Sequence, residues 1–550
     1  MKNICLTSLM FLFLTVSVYS QIWIVDPLEA LYPDRNNEKS WSRHWSADFI
    51  MQTDVAAHLL VKTPKNSPFT ITAEIDGRSL ADGSFFELID VPVEQNTGLD
   101  SRTELYTGAP NPFVIRKAPF KIYEVIKPVD KSIFISDGNY RAFRFVLPEA
   151  YKSPGETTIK FTVTSQETTY VGEFKPRIHA IDIPSASKSE FFYTNWFNLS
   201  KMEYHHGVVR WTEAWFEMLD KYASLMSKGR QNAILIPAEL IYVEKGEIKL
   251  AADKMWRFLQ VFQRHGFRFF EAPHLMNRGP NDDWGDAELK VALSGKRYYT
   301  EGGKKDVQKI ITLLRDFAVK HNIVDNWLQH ISDEPTAVNA ACYRDIADQV
   351  KELFPEALIM EATNDRDNLA GAIDIWCPII NDFQENEAFF RNREQKGEQI
   401  FVYTCLIPGG QWLNRTLDME KLRQVYFGWG AARYNTDGYL HWGLNQYQAD
   451  PYQTSAVKHP SPGAGPNNYL PAGDTHIIYP GKNGPLSSLR FEAHRGGIED
   501  YELLQLLKIK DEKRYEELIA RLFRTYTDYN LSIQDYRAVK RELLETLKND

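Results

Sequence analysis

Four cysteines in 550 residues leave this chain little to staple itself with. Cys5 lies at the start of an apolar leader. The other three, Cys342, Cys377 and Cys405, are odd in number and fit no C-x-x-C spacing, so neither a disulfide framework nor a cysteine zinc site is expected. Positive charge is also short. Lys and Arg total 64 against 73 Asp and Glu, a formal charge of −9 with a pI near 5.9. That balance offers no electrostatic footprint for nucleic acid or an anionic membrane. The apolar run from about Leu6 to Val18 is too short for a comfortable bilayer span, so no stable membrane insertion is expected. No G-x-G-x-x-G follows a strand-like run, and H-E-x-x-H and G-x-S-x-G do not occur, which removes the common dinucleotide, zincin and α/β-hydrolase signatures. No acidic ligand set points to a metal, no cofactor is implied, and no repeats or low-complexity tracts occur.

What is present begins with Met1–Ser20, which reads as a secretory signal: Lys2, the apolar run, then Val18-Tyr19-Ser20 with a small residue at the cut. An exported protein, periplasmic or extracellular, is expected. From about Ile22 to Pro184 short β-prone runs, such as F-T-I-T-A-E-I from Phe69 and T-T-I-K-F-T-V-T from Thr157, alternate with turn signals at Asp76-Gly77, Asp137-Gly138 and Pro154-Gly155. This predicts a β-sandwich over 21–185, with a packing or carbohydrate-docking role. Beyond a linker at Ile183–Glu190 the texture becomes strand-then-helix. Eight candidate strands start near Phe191, Ala233, Arg268, Asn326, Ala357, Ile373, Ile400 and Gly438. They predict a (β/α)8 TIM-like barrel over 186–508, with helical links after the fifth and sixth strands less clear. A Pro/Gly/Asn-rich stretch, Pro451–Gly484, is long enough to be a lid or wall. Residues 509–550 read as charged, amphipathic C-terminal helices.

The chain is organised around N-W-L-Q-H-I-S-D-E-P-T, Asn326–Thr336. An apolar strand stops at two adjacent carboxylates, Asp333 and Glu334. Pro335 disfavours the α region for the residue before it, which predicts an extended Glu334, and a helix is expected from Thr336 to about Phe354. Neighbours in a regular strand point to opposite faces, so both acids reach one ligand only if the strand breaks there. The competing reading is a helix cap.

Barrel enzymes carry their sites at the C-terminal ends of the strands. That places Trp196, His274, Asp333, Glu334, Asn364, Trp376, Tyr403, Trp442 and Asn445 together, a set of carboxylates, rings and amides suited to a neutral, hydroxyl-rich ligand. His330 reads as a buried core histidine.

The D-E-P at a strand end, the export signal, the β-rich front and the tail R-F-E-A-H-R-G-G-I-E-D-Y-E-L-L from Arg490 together resemble glycoside hydrolase family 123, a family of β-N-acetylgalactosaminidases with a sandwich followed by a barrel. The resemblance implies a glycan substrate and retaining, substrate-assisted hydrolysis, an exception to the two-carboxylate scheme. The substrate's 2-acetamido oxygen attacks the anomeric carbon, giving an oxazolinium ion. Asp333 would orient the acetamido group and Glu334 would be the general acid/base. Tyr403 would hold the acetamido group, with Trp442 and Trp376 stacking on the sugar. Arg490, Glu492, Arg495, Glu499 and Asp500 match the tail motif and read first as a structural ion-pair network, with Arg490 or Glu492 the candidates to reach the site edge. Two alternatives stay open: a glycosidase using a second carboxylate from another strand, and a non-catalytic glycan-binding surface protein.

Overall fold

A computed structural model describes residues 21–34, 41–80, 84–129, 132–166, 168–278, 285–460 and 465–548. The expected export signal lies outside them.

The front of the chain folds as two sheets. One is antiparallel, in the order Gln21–Val25, Ala56–Lys62, Tyr140–Val146, Phe85–Val93, Phe120–Pro128. The other is built on Pro68–Ile75, Ile159–Ser165 and Thr168–His179. I-K-F-T-V-T-S shows why: Ile159, Phe161 and Val163 are buried while the residues between them are exposed or half-buried, the period-two pattern of a sheet with one wet face. Inward residues of both sheets, among them Leu59, Phe143, Phe145, Phe161 and Phe174, form one core.

Eight parallel strands follow: β1 (Phe192–Asn195), β2 (Ala233–Leu235), β3 (Phe269–Ala272), β4 (Trp327–Gln329), β5 (Leu358–Glu361), β6 (Ile375–Trp376), β7 (Gln399–Tyr403) and β8 (Gly438–His441). Each pairs with the next from β2 to β8, and β8 pairs with β1. The seam between β1 and β2 is bridged by a side chain: Asn232 Oδ1 accepts from Tyr193 N at 2.9 Å, while Asn232 N donates to Tyr193 O at 3.2 Å. Inside, Phe192, Leu328, Met360, Ile375, Phe401 and Leu440 fill the lumen, with Phe192 stacked on Phe401 at 4.5 Å. A Cβ at Gly438 would stand 2.8 Å from Phe192 Cβ, so only glycine fits there.

Helices α1 (Leu199–His206), α2 (Glu213–Lys228), α3 (Ala252–Arg264), α4 (Glu301–Lys320), α5 (Ala340–Leu353), α6 (Ile380–Glu385), α7 (Glu387–Glu394), α8 (Lys421–Tyr434) and α9 (Leu489–Lys510) surround the strands. The link from β5 to β6 contains turns and no helix, and β6 is two residues long. After β8 the chain makes two short hairpins (strands Val457–Lys458 with Tyr469–Leu470, and Tyr479–Gly481 with Gly484–Leu486) before α9. α10 (Glu512–Leu522) and α11 (Ile533–Lys548) pack on α9, and α11 also reaches the sandwich strand His44–Ile50. Among the described residues no helix is long and apolar enough to cross a membrane.

Candidate active site

Beyond Gln329 the chain leaves β4 and turns. Ile331 N and Ser332 N donate to Glu361 Oε2, at the end of β5, at 3.0 and 3.2 Å, and Tyr343 hydroxyl donates to the same oxygen at 3.2 Å. A buried carboxylate thus takes the amides that a longer strand would have paired. Glu334 is not extended as Pro335 predicted. Its φ is +44°, a left-handed conformation costing about 1–3 kcal/mol for such a residue. Proline disfavours the right-handed helical region at this position, and the turn takes the left-handed one. The turn is braced from three sides: Arg278 Nη1 donates to the carbonyls of Asp333 (2.6 Å) and Glu334 (3.3 Å), Thr363 Oγ1 to Pro335 O (2.9 Å), and Thr336 N to Asn339 Oδ1 (2.9 Å). α5 begins only at Ala340, four residues later than expected, which separates the two acids from its first turn.

The consequence is a shared cavity. A hollow of about 330 Å³ is lined by Trp196, Asp333, Glu334, Tyr403, Cys405, Trp442, Gln446 and His459 among others. An adjoining one of about 520 Å³ is lined by Trp196, His274, Arg278, Ser332 and Asp333. Adjacent carboxylates therefore face one space, and no other described residue lining either hollow is a carboxylate.

Tyr403, the last residue of β7, donates its hydroxyl to Glu334 Oε1 at 2.9 Å. Burial and the Glu334 charge push this phenol well above its ordinary pKa, so it acts as a donor. Burial also raises the Asp333 pKa, with Glu361 adding to it and His274, Arg278 and His330 opposing. Beneath Asp333 lies a charged layer. His330 Nε2 is 3.2 Å from Glu271 Oε2, and its Nδ1 is 3.5 Å from Glu361 Oε1. Burial alone would lower the imidazole's pKa, but the two carboxylates raise it to about 10. Glu271 also accepts from Thr194 Oγ1 (2.6 Å) and Trp196 Nε1 (3.1 Å). The indole of Trp196, half-buried on the cavity wall, is held by the same layer.

The expected site residues divide. Trp196, His274, Asp333, Glu334, Tyr403 and Trp442 come together on the two hollows. Trp376 does not: its side chain points outward from β6, fully buried against Phe389 and Phe390 with its Nε1 donating to Glu398 Oε2 at 2.6 Å, so it offers no face to a sugar. Asn445 is buried as a clamp, its amide exchanging hydrogen bonds with Asn198 N (2.7 Å) and Asn198 O (3.0 Å). Asn364 is exposed beyond β5 and lines neither hollow. Arg490 is buried under the barrel rim, paired with Glu124 of the sandwich at 2.6 Å and donating to the carbonyls of Arg415, Gly473 and His476. Its donors are spent on holding the loop after β8. Arg278, Glu271 and Glu361 were not anticipated. The expected wall, Pro451–Gly484, supplies His459, Pro460 and Leu470.

Comparison with known proteins adds the family. The model of the glycoside hydrolase 123 catalytic domain matches residues 196–507. Among solved structures, a family 123 glycoside hydrolase from Clostridium perfringens, described for glycolipid glycan hydrolysis, superposes with a TM-score of 0.70 at 14% identity, covering 96% of this chain and 98% of that one. A β-glucuronidase from Parabacteroides merdae (TM-score 0.32, 10% identity, 80% and 50% covered) and an endo-β-1,4-mannanase from Thermotoga petrophila (0.36, 13%, 58% and 78%) are much more distant. No curated protein matches. With the catalytic-domain match spanning more than half the chain, the protein belongs to glycoside hydrolase family 123.

Proposed function

We propose that this chain, exported from the cytoplasm, releases terminal β-linked N-acetylgalactosamine or a related 2-acetamido sugar from glycans by substrate-assisted, retaining hydrolysis. The observation that carries the reading is the pair itself. Two adjacent carboxylates face one cavity, and no other acid lines it among the described residues. A conventional retaining or inverting site needs a second carboxylate across the scissile bond, about 5–10 Å away. Here the substrate's acetamido oxygen serves as nucleophile. Asp333 orients the acetamido N–H and balances the positive charge of the oxazolinium ion. Glu334 protonates the leaving oxygen, then deprotonates the incoming water, with Tyr403 fixing its carboxyl. Trp196 and Trp442, half-buried on the wall, supply apolar faces for the ring.

The test uses aryl 2-acetamido-2-deoxy-β-galactosides against their 2-hydroxy counterparts. Wild type is expected to turn over only the former, with retention at the anomeric carbon. Asp333→Asn should lower kcat by about 100- to 1,000-fold, and Glu334→Gln should lose turnover while still binding the sugar. Equal turnover of the 2-hydroxy compound, or full activity of Asp333→Asn, overturns the proposal.

A further inference from the structure

Under Asp333, three side chains from neighbouring strands turn toward one point. His274 follows β3, His330 follows β4, and Glu361 ends β5. His274 Nε2 is 3.7 Å from Glu361 Oε1, His330 Nδ1 is 3.5 Å from the same oxygen, and all three atoms lie within 4.8 Å of one another. Each of these atoms is buried and none makes a well-formed hydrogen bond to a described residue; without an ion the imidazoles pair with Glu361 by charge, and a metal would take the place of the proton on His330 Nδ1. We infer that this cluster binds one divalent transition-metal ion of the zinc class through His274 Nε2, His330 Nδ1 and Glu361 Oε1.

Spacing favours this over a plain hydrogen-bonded network. Charge-assisted N–H···O bonds close to about 2.7–2.9 Å, whereas both imidazole nitrogens stand farther off, at 3.7 and 3.5 Å from Glu361 Oε1. Ligands at 2.0–2.1 Å from a tetrahedral zinc are separated by about 3.3 Å, near the two shorter edges observed. The outer contacts agree. His330 gives its other ring nitrogen to Glu271 at 3.2 Å, the carboxylate–histidine–metal arrangement that fixes a ligand's tautomer. Glu361 has its second oxygen held by Ile331 N, Ser332 N and the Tyr343 hydroxyl, which leaves Oε1 aimed at the imidazoles. Two imidazoles and one carboxylate form a donor set that suits zinc. Of the three, His274 lines the hollow that Ser332 and Asp333 also line. Bound there, the ion would lock the ends of β3, β4 and β5 under the acid pair. In the linear sequence the ligands are 56 and 31 residues apart, so no motif announces them.

The full chain, purified without chelator and dialysed against metal-free buffer, is titrated with ZnCl2 and separately with CoCl2. Elemental analysis should find about one zinc per chain. Cobalt should give visible d–d absorption of tetrahedral intensity, and added zinc should raise Tm. Glu361→Gln keeps a side-chain oxygen to accept from Ile331 N and Ser332 N, and His274→Ala alters a half-buried ring; each should lower zinc affinity about 100-fold while circular dichroism stays native. If one variant fails to fold, the other carries the test. Folded wild type that takes up no zinc and shows no Tm shift overturns the inference. So does zinc binding undiminished in the folded variants, which would mean adventitious uptake at surface histidines.

Discussion

In the proposed reaction Glu334 gives a proton to the leaving oxygen and later takes one from water, so whatever touches its carboxyl sets when it can do each. The phenol of Tyr403 does, at 2.9 Å from Oε1. A donor on the oxygen favours the ionised form, so Tyr403→Phe should move the basic limb of the kcat/KM profile to higher pH and lower its plateau about 10- to 100-fold. A pH profile on the aryl 2-acetamido-galactoside reads this directly; an unmoved limb would mean that the phenol serves the acetamido group alone. The position of Tyr403 at a strand end was legible, because barrel topology fixes where β7 stops. So was the position of the acid pair just past an apolar strand-like run, although the ladder ends at Gln329, well before Pro335. The left-handed turn at Glu334 was not, because proline disfavours one region without choosing between the others, and the turn is braced by Arg278, 55 and 56 residues upstream of the carbonyls it holds. Glu271 sits inside β3 and Glu361 is the last residue of β5, and no motif marks either. Only the pairing of β4 with β3 on one side and β5 on the other reveals that they organise His330 and Trp196. Trp376 shows the converse: on a two-residue strand, nothing in the local pattern tells which side of the barrel an indole faces.

Among the elements, α9 carries the R-F-E-A-H-R-G-G-I-E-D segment, and its glycines have a packing reason. Gly497 lies against α8, where a Cβ would collide with the carbonyl oxygen of Val425; Gly428 on α8 meets the carbonyl of Gly497 in the same way. Two helices in backbone contact allow neither position a side chain, whereas a Cβ on the neighbouring Gly496 would meet nothing within 4 Å. Glycine in a helix interior costs about 1 kcal/mol relative to alanine, yet Gly497→Ala should still destabilise by about 1–3 kcal/mol, because the colliding atoms are backbone and the helices must separate. Gly496→Ala, next to it, should be neutral or slightly stabilising. Thermal unfolding of the two variants checks the contrast, and an equal effect would show that the close approach is not what the motif encodes. Helical periodicity predicted α8 and strand spacing predicted β8, while the missing helix between β5 and β6 was signalled only by the shortness of that link.

At the scale of the molecule, the sandwich is a brace for the barrel. Arg102 N donates to Leu406 O (2.9 Å) and Arg102 Nε to Asn468 Oδ1 (3.0 Å), while Glu94 accepts from Ser455 Oγ (2.7 Å). The front domain thus holds both the loop after β7 and the loop after β8 that wall the cavity. Beneath them, charges cross the interface. Asp54 of the sandwich lies 3.1 Å from Lys228, 3.2 Å from Arg495 and 3.6 Å from Arg144, and Arg144 in turn lies 3.5 Å from Glu492. Burial alone would raise the Asp54 pKa, but Arg495, Lys228 and Arg144 outweigh it and hold the acid far below the usual carboxylate range; Arg495 and Arg144 likewise depress Glu492 against its burial. A carboxyl whose folded pKa lies below its unfolded one contributes stability in full above the unfolded value, near pH 4. That contribution is lost as pH falls toward the folded value, because the unfolded chain binds protons first. Asp54→Asn should therefore cost about 3 kcal/mol at pH 7, as expected for removing one partner from a buried ionic cluster, and the gap from wild type should close as the pH is lowered below 4. Urea midpoints at pH 7, 5 and 3 measure it. A gap that stays constant across that range would mean that Asp54 contributes through shape and hydrogen bonding, and that charge is not what seats the sandwich on the barrel.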